Sequence, residues 1–288
     1  MKIKTKMKVS SISGVLIDAL EYIKRFNNQI FVIKLGGEVM MNEKVLDSIA
    51  QDLVLLNYVG IKPVVIHGGG KEISDTMKRL GKEPKFIKGL RVTDKETMDI
   101  TQMVLIGKIS TEIVAKINLH GGNSVSGIGL SGKSGRLILA EKTGEDLGLV
   151  GKIKSINPDI IELLLKSNYI PVISPVGLDE EKGDSLNINA DTAAAEIAIA
   201  LWASKLILMT SVDGVFDKEG KLIEKLKVRE IDRLINSGTA KEGMIPKLKS
   251  SKQALLNGVK RAHIIKGSDH TLLEEIFTSS GIGTMIEG

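Results

Sequence analysis

At 288 residues the chain can bury one large core or two modest ones, and 42% hydrophobic with 26% charged residues is a globular composition, neither disordered nor fibrous. The net charge of +5, concentrated partly in Lys2, Lys4, Lys6, Lys8 and Lys24, comes with one Trp, three Tyr and five Phe, too few stacking platforms for a nucleic-acid binder. With no cysteine, disulfides, thiolate nucleophiles and Cys-held metals are excluded, and a reducing, cytoplasmic setting is expected.

The chain opens on the basic run MKIKTKMK, but no apolar stretch long enough for a targeting segment follows it. Instead Ile12, Leu16, Ala19, Ile23 and Phe26 step along one helical face, which predicts an amphipathic helix within residues 1–28, packed on the core or on another subunit. Runs rich in β-branched residues then alternate with stretches of helical period: strand Ile30 to Leu35, helix Val45 to Leu56, strand Pro63 to Ile66, helix Ile73 to Leu80. From Leu119 to Gly151 nine glycines favour hairpins or mobile loops over long helices. The alternation resumes with strand Tyr169 to Ser174, helix Asp191 to Ala203, strand Leu206 to Met209, helix Leu248 to Leu256 and strand Ala262 to Ile265. Such βαβ order predicts an α/β fold with a mainly parallel sheet and helices on both faces. A polar break at Gly177, Asp179, Gly183 and Asp184 divides the rest into two lobes, residues 29–178 and 179–288. The longest apolar runs, such as Ile197 to Ala203, fall far short of the roughly 18 residues of a membrane span.

The first two strands each run into glycines ahead of a helical pattern, as Lys34-Leu35-Gly36-Gly37 and His67-Gly68-Gly69-Gly70-Lys71. Glycines there let backbone N–H groups approach an anion, and the helix N-terminus behind them adds about half a positive charge. Either loop alone is equally a tight connection; the pair, with a lysine inside the first, points to phosphate. Neither fits G-x-x-x-x-G-K-[ST] or G-x-G-x-x-G, so a P-loop or dinucleotide fold lacks its signature.

Five ordered motifs, Ile33-Lys34-Leu35-Gly36-Gly37, His67-Gly68-Gly69-Gly70, Gly89-Leu90-Arg91-Val92-Thr93, Asn187-Ile188-Asn189-Ala190-Asp191 and Gly243-Met244-Ile245-Pro246-Lys247, resemble the amino-acid kinase family. The likeness, from about Phe31 to the C-terminus, is strongest to members that phosphorylate the γ-carboxylate of N-acetyl-L-glutamate in arginine biosynthesis. It implies a three-layer α/β/α sandwich, with the acyl amino acid and a dimer contact on residues 29–178 and ATP with Mg2+ on residues 179–288. It further implies that Lys34 and Lys247 clamp the moving phosphoryl group from opposite sides, that Asp191 holds both ammonium groups, and that the N–H of Gly36 joins them. Substrate would be held by Gly69, Gly70, Asn187 and Arg91, whose planar fork suits an α-carboxylate. The nucleotide would lie against Gly37, Thr210, Val212, Asp213, Gly214 and Phe216. By local chemistry alone, Asp191 also reads as a helix N-terminal acid favoured by the dipole, and Asp213-Gly214 as a plain turn. No residue cluster has dedicated metal-ligand spacing, consistent with an ion held by phosphates and water. His67 belongs to a phosphate loop, and His120 and His263 read as structural.

His270 to Thr284, HTLLEEIFTSSGIGT, resembles the C-terminal signature of arginine-inhibited members, which also carry an N-terminal helix that joins dimers into a hexameric ring. On this match L-arginine is a feedback inhibitor near His270, Glu275 and Gly281, with Glu275 facing its guanidinium, and residues 12–27 make a homo-oligomer, dimer or hexamer. An ordinary amphipathic terminal helix is the plainer alternative. Two positions depart from the family: Lys152, where an acid is frequent, and Ser211, where Asn or Asp is usual. A kinase of carrier-linked aminoadipate would depart from the motif at residues 89–93, and a non-catalytic amino-acid sensor would not need Lys34, Asp191 and Lys247 together. Neither nucleic acid nor membrane is an expected partner, and binding of a PII-type signalling protein stays open.

Overall fold

The computed structural model describes residues 9–288 apart from Lys88, Glu242, Ser279 and Ser280, and excludes the side chains of residues 9–13, Glu38 and Glu145. The basic opening, the side chain of Ile12 and two serines of the C-terminal motif therefore lie outside the described residues.

Helix α1 (Val9–Phe26) leads to β1 (Ile30–Leu35), the short α2 (Gly37–Met41), α3 (Glu43–Tyr58), β2 (Lys62–His67) and α4 (Gly70–Arg79). A small hairpin, β3 (Phe86–Ile87) and β4 (Leu90–Arg91), precedes a long helical stretch: α5 (Lys95–Gln102), π-helical turns over Met103–Ser110, and α6 (Thr111–Gly121). Then come β5 (Ser126–Ser131), β6 (Ile138–Lys142), β7 (Gly151–Ile156), α7 (Asp159–Lys166), β8 (Tyr169–Ser174), β9 (Val176–Asp179), β10 (Ser185–Asn187) and α8 (Ala190–Ala200). The last part holds β11 (Lys205–Thr210), β12 (Lys225–Lys227), α9 (Ile231–Asn236), α10 (Ile245–Leu256), β13 (Arg261–Lys266), α11 (Thr271–Phe277) and β14 (Thr284–Glu287).

Eight strands make one sheet in the order β12-β14-β13-β11-β1-β2-β8-β5. Only the β13–β14 junction is antiparallel. Strand β1 is buried from Phe31 to Leu35, the continuous apolar run of a parallel strand covered on both faces. Its alternate residues serve two cores: Phe31, Ile33 and Leu35 pack with Leu53, Ile73 and Leu272, whereas Val32 packs with Ala193, Ala198 and Leu248. Helices thus cover both faces, giving three layers, and each fully buried Ile or Leu contributes ~1.5–3 kcal/mol. On one face α8 buries Ala193, Ala194, Ala195 and Ala198, small side chains that let its axis approach the sheet closely.

The glycine-rich stretch divides in two. Strands β6 and β7 form the expected antiparallel pair, but β5 joins the main sheet beside β8, and Leu119 still belongs to α6. Together with β9 and β10, the pair makes a second sheet in the order β10-β9-β6-β7. The break expected after residue 178 falls inside β9, and the β1–β11 pairing runs the main sheet continuously across it.

Candidate active site

The carboxyl ends of β1, β2 and β11, parallel neighbours, bring Lys34, the two glycine loops and Thr210 to one rim of the sheet, where open parallel sheets bind ligands. The chain passes so close there that a Cβ on Gly36 would stand 2.6 Å from Met209 O. No side chain fits.

At this rim Lys34 Nζ lies 2.8 Å from Asp191 Oδ1, and Lys247 Nζ donates to Asp191 Oδ2 at 2.9 Å. Asp191 stands in the first turn of α8 but does not cap it. That duty falls to Asn189, whose Oδ1 accepts from the N–H groups of Asp191 (2.9 Å) and Thr192 (3.0 Å). The helix consequently starts at Ala190, ahead of the expected Asp191, and the Asp191 carboxylate is left for the lysines. Burial alone would raise the pKa of Asp191; the ammonium charges of Lys34 and Lys247 outweigh it and hold the carboxyl below the usual carboxylate range. Burial also dominates at Lys34, pulling its pKa below the ordinary lysine value against the attraction of Asp191.

Lys34 and Asp191 border a pocket of about 240 Å³ whose wall includes Gly69, Gly70, Arg91 and Asn187. Arg91 is only 7% exposed. Its Nη2 donates to Gly70 O (2.6 Å) and Ser74 Oγ (2.7 Å), its Nη1 meets Met77 Sδ at 3.3 Å, and its guanidinium lies 4.8 Å from the centre of the Phe86 ring. Among the described residues none of these partners is an acid. Lys34 and Lys247 thus share the one carboxylate of Asp191, and Arg91 adds a further cation to the pocket wall beside Lys34, a cationic surplus that suits an anionic ligand. Asn187 Nδ2 donates to Thr93 Oγ1 at 3.2 Å, which fixes its amide in the same wall.

A larger cavity of about 900 Å³ is lined by Thr210, Val212, Gly214, Phe216 and Lys247. Two expected nucleotide residues lie elsewhere. Asp213 is absent from that wall, its exposed carboxylate standing 3.2 Å from Lys266 Nζ. Gly37 lines the smaller pocket, because it opens α2 at the end of the Lys34 strand. Lys218, Lys241 and the turn at residues 237–240 also line the large cavity, and the sequence alone does not mark them. Their only signal is Gly238 and Gly243 ahead of the Met244 to Lys247 motif.

A third cavity, about 340 Å³, has α1, β13, β14 and α11 around it, with Glu275 and Gly281 in its wall. His270, grouped with them in the sequence, does not line it. With φ of 53° it precedes α11, donates its backbone N–H to Ser48 Oγ (2.8 Å), and places ring Nδ1 2.7 Å from Asp52 Oδ1 on α3. His263 stands in the cavity wall instead, Nε2 3.2 Å from Lys205 Nζ and Nδ1 2.5 Å from Glu275 Oε1. A lysine ammonium only donates, so Nε2 accepts and Nδ1–H donates to Glu275, which leaves the ring neutral. Burial lowers both His263 and Lys205, the latter to about 8.

Residues 29–266 match the model of the amino acid kinase family. The chain is 53% identical to the acetylglutamate kinase of Methanobrevibacter smithii, over 95% of this chain and 98% of that protein. N-acetylglutamate synthase of Neisseria gonorrhoeae, solved with coenzyme A and N-acetyl-glutamate, superposes with a TM-score of 0.85 at 27% identity over 96% of this chain, which spans 63% of that longer protein. A carbamate kinase of Giardia lamblia bound to AMP-PNP shares the fold, with a TM-score of 0.68 at 17% identity over 90% of this chain and 98% of that one. Since the matched span runs from β1 to β13 and takes in all five motifs, and the first of these relatives aligns along nearly its whole length, this chain belongs to the amino acid kinase family.

Proposed function

We propose that this chain transfers the γ-phosphoryl group of ATP to the γ-carboxylate of N-acetyl-L-glutamate, giving N-acetylglutamyl 5-phosphate for arginine biosynthesis. The observation that carries this reading is the Asp191 carboxylate shared by Lys34 and Lys247, one lysine bordering each of two cavities. A carboxylate acceptor is already ionised near neutral pH, so the reaction asks for no general base. It does ask for charge cancellation, because two anions must meet in line while charge spreads over the phosphoryl oxygens. Lys34 would meet that charge from the acyl side and Lys247 from the nucleotide side, with the N–H groups of Gly36 and Gly69 between them. Asp191 keeps two like charges side by side without acting as a base. Arg91, buried and with no acidic partner among the described residues, would take the substrate α-carboxylate, and Gly70 and Asn187 the remainder of the molecule.

The larger cavity lies within the usual range of small-molecule sites, about 300–1,000 Å³, and would hold ATP over residues 179–288. Among the described residues no three His, Cys, Asp or Glu side chains converge on a metal site. Mg2+ would enter with the nucleotide, held by phosphate oxygens and water. L-arginine as feedback inhibitor would occupy the 340 Å³ cavity beside Glu275. Helix α1 leaves Val15, Leu16, Ile17 and Leu20 exposed, an apolar face suited to packing on a second copy in a dimer or hexamer. No helix of the described residues is long and apolar enough to cross a membrane.

A coupled ADP-release assay with N-acetylglutamate, glutamate and aspartate, each with and without millimolar arginine, tests the reading. Turnover should be confined to the acetylated substrate and should fall with arginine. Equal turnover of glutamate or aspartate refutes the acceptor, and indifference to arginine refutes the regulatory part.

A further inference from the structure

We propose that His67 is a positioning residue for phosphoryl transfer: its ring holds the Gly68 carbonyl so that the Gly69 N–H points into the site. The inference deepens, and rests on, the function proposed above. Strand β2 ends on His67 with the side chain wholly buried, where an imidazole must be hydrogen-bonded to offset its desolvation. Nδ1 lies 3.0 Å from Gly68 O, and Nε2 lies 2.9 Å from Ser174 Oγ at the end of β8. A carbonyl can only accept, so Nδ1 carries the proton and donates to Gly68 O, and Nε2 accepts from the Ser174 hydroxyl. That hydroxyl also stands 3.3 Å from Leu105 O, but its one hydrogen goes to the nearer acceptor. Burial keeps the ring neutral, lowering its pKa to about 4.

The peptide between Gly68 and Gly69 is trans, so its C=O and the following N–H point in opposite directions. Fixing the Gly68 carbonyl against His67 turns the Gly69 N–H away from the ring, toward the 240 Å³ pocket that Gly69 lines beside Lys34. Among the described residues no backbone carbonyl accepts from this N–H. The flanking groups are held by the strand and the helix, Gly68 N–H donating to Leu35 O at 3.1 Å and Gly69 O accepting from Ile73 N–H at 2.9 Å, and among the described residues the Gly68 carbonyl between them has His67 as its donor. A Cβ on Gly69 would meet Leu105 at 2.5 Å and Ile109 at 2.7 Å, both on the π-helical turns. A donor held in place before the reaction stabilises developing charge without reorganising, which a peptide free to tilt about its flanking bonds does less well.

Asparagine and glutamine separate the two halves of this arrangement. The asparagine amide nitrogen falls where Nδ1 stands, and that of glutamine where Nε2 stands. His67→Asn therefore keeps the donor to Gly68, whereas His67→Gln keeps only a link to Ser174, with its direction reversed: the amide nitrogen donates to Ser174 Oγ and the hydroxyl turns to Leu105 O. We expect His67→Gln to lower kcat by about 30-fold or more with both KM values within about twofold, and His67→Asn to restore kcat to within about fivefold of the unsubstituted enzyme. Thermal melts should not separate the two variants. Equal losses in both, or a more active His67→Gln, overturn the inference alone. No turnover of N-acetylglutamate by the unsubstituted chain overturns the proposed function and the inference with it.

Discussion

Replacing Asp191 by asparagine keeps the side-chain shape and removes one charge. The carboxylate stands 2.8 Å from Lys34 Nζ and 2.9 Å from Lys247 Nζ, with all three side chains at most 12% exposed. At an effective dielectric near 20 and charge centres ~4 Å apart, each contact amounts to ~4 kcal/mol before desolvation. Orphaning the partner of a buried ion costs ~3–5 kcal/mol in practice. Both lysines border cavities that water can enter, so the expected loss of stability is smaller, ~2–3 kcal/mol, or roughly 3–5 °C in Tm for a chain of this length. Catalysis should suffer more. A charge-stabilising donor is worth ~3–4 kcal/mol of barrier, and two ammonium groups released to repel each other lose their aim together, so kcat should fall by about 10³ or more. The assay pairs ADP release with thermal melts, and Asn189→Ala is the reference for a lost cap, at ~1 kcal/mol. If Asp191→Asn keeps kcat within about tenfold while its Tm drops no further than that of Asn189→Ala, Asp191 is a helix-end acid and the reasoning fails.

Arg91→Lys should raise the KM for the acyl substrate about tenfold or more and leave that for ATP within about twofold, because a point charge cannot serve Gly70, Ser74 and a carboxylate in one plane; equal rises would count against it. Asp52 is wholly buried, and burial, opposed by His270, pushes its carboxyl up to about 6. A folded pKa above the unfolded one means the native state holds the extra proton, so through this group stability falls as pH rises from about 4 to 6, by up to ~3 kcal/mol. Urea midpoints of Asp52→Asn should lack that slope, and parallel curves for the two proteins would refute the assignment. Glu275→Gln exchanges the carboxylate beside His263 for an amide and should raise the half-inhibiting arginine concentration about tenfold or more; an unchanged inhibition curve would remove Glu275 from that site.

What is legible in this sequence is what near neighbours decide. The run Tyr169 to Ser174 reads as a strand with its observed bounds, because apolar residues fill it and Asn168 and Pro175 punctuate it. The helix from Lys95 to Gly121 does not read, because its middle, Met-Val-Leu-Ile-Gly-Lys-Ile-Ser, winds with π-helical turns and carries no stripe of period 3.6. His270 and Glu275 look like one site by proximity, yet a left-handed backbone and an acid 218 positions away turn His270 elsewhere. His263 enters the same cavity because parallel pairing sets β13 beside β11, which carries Lys205. Only the fold supplies that juxtaposition. For Asp191 the motif marks the residue, and Asn189, two positions earlier, is the local clue that the cap lies elsewhere.

Strand parity explains why the aspartate meets the lysine at all. Phe31, Ile33 and Leu35 enter the core beside α3, whereas Val32 enters the core that holds the alanines of α8. Lys34 shares the parity of Val32 and so projects toward α8. There Ala193, Ala194 and Ala198 are too small to hold the helix off, and a short side chain in its first turn spans the gap to the ammonium at 2.8 Å. Helix α10 packs Leu248 and Ala254 into the same core, and its first turn delivers Lys247 to the other oxygen. A slip of β1 by one residue would drive Lys34 into the α3 core among apolar groups, and an unpaired ammonium buried there costs more than any repacking could return. The register that buries Phe31, Ile33 and Leu35 is therefore the register that assembles the charged centre, which is how a lysine can sit inside an apolar central strand without breaking the sheet.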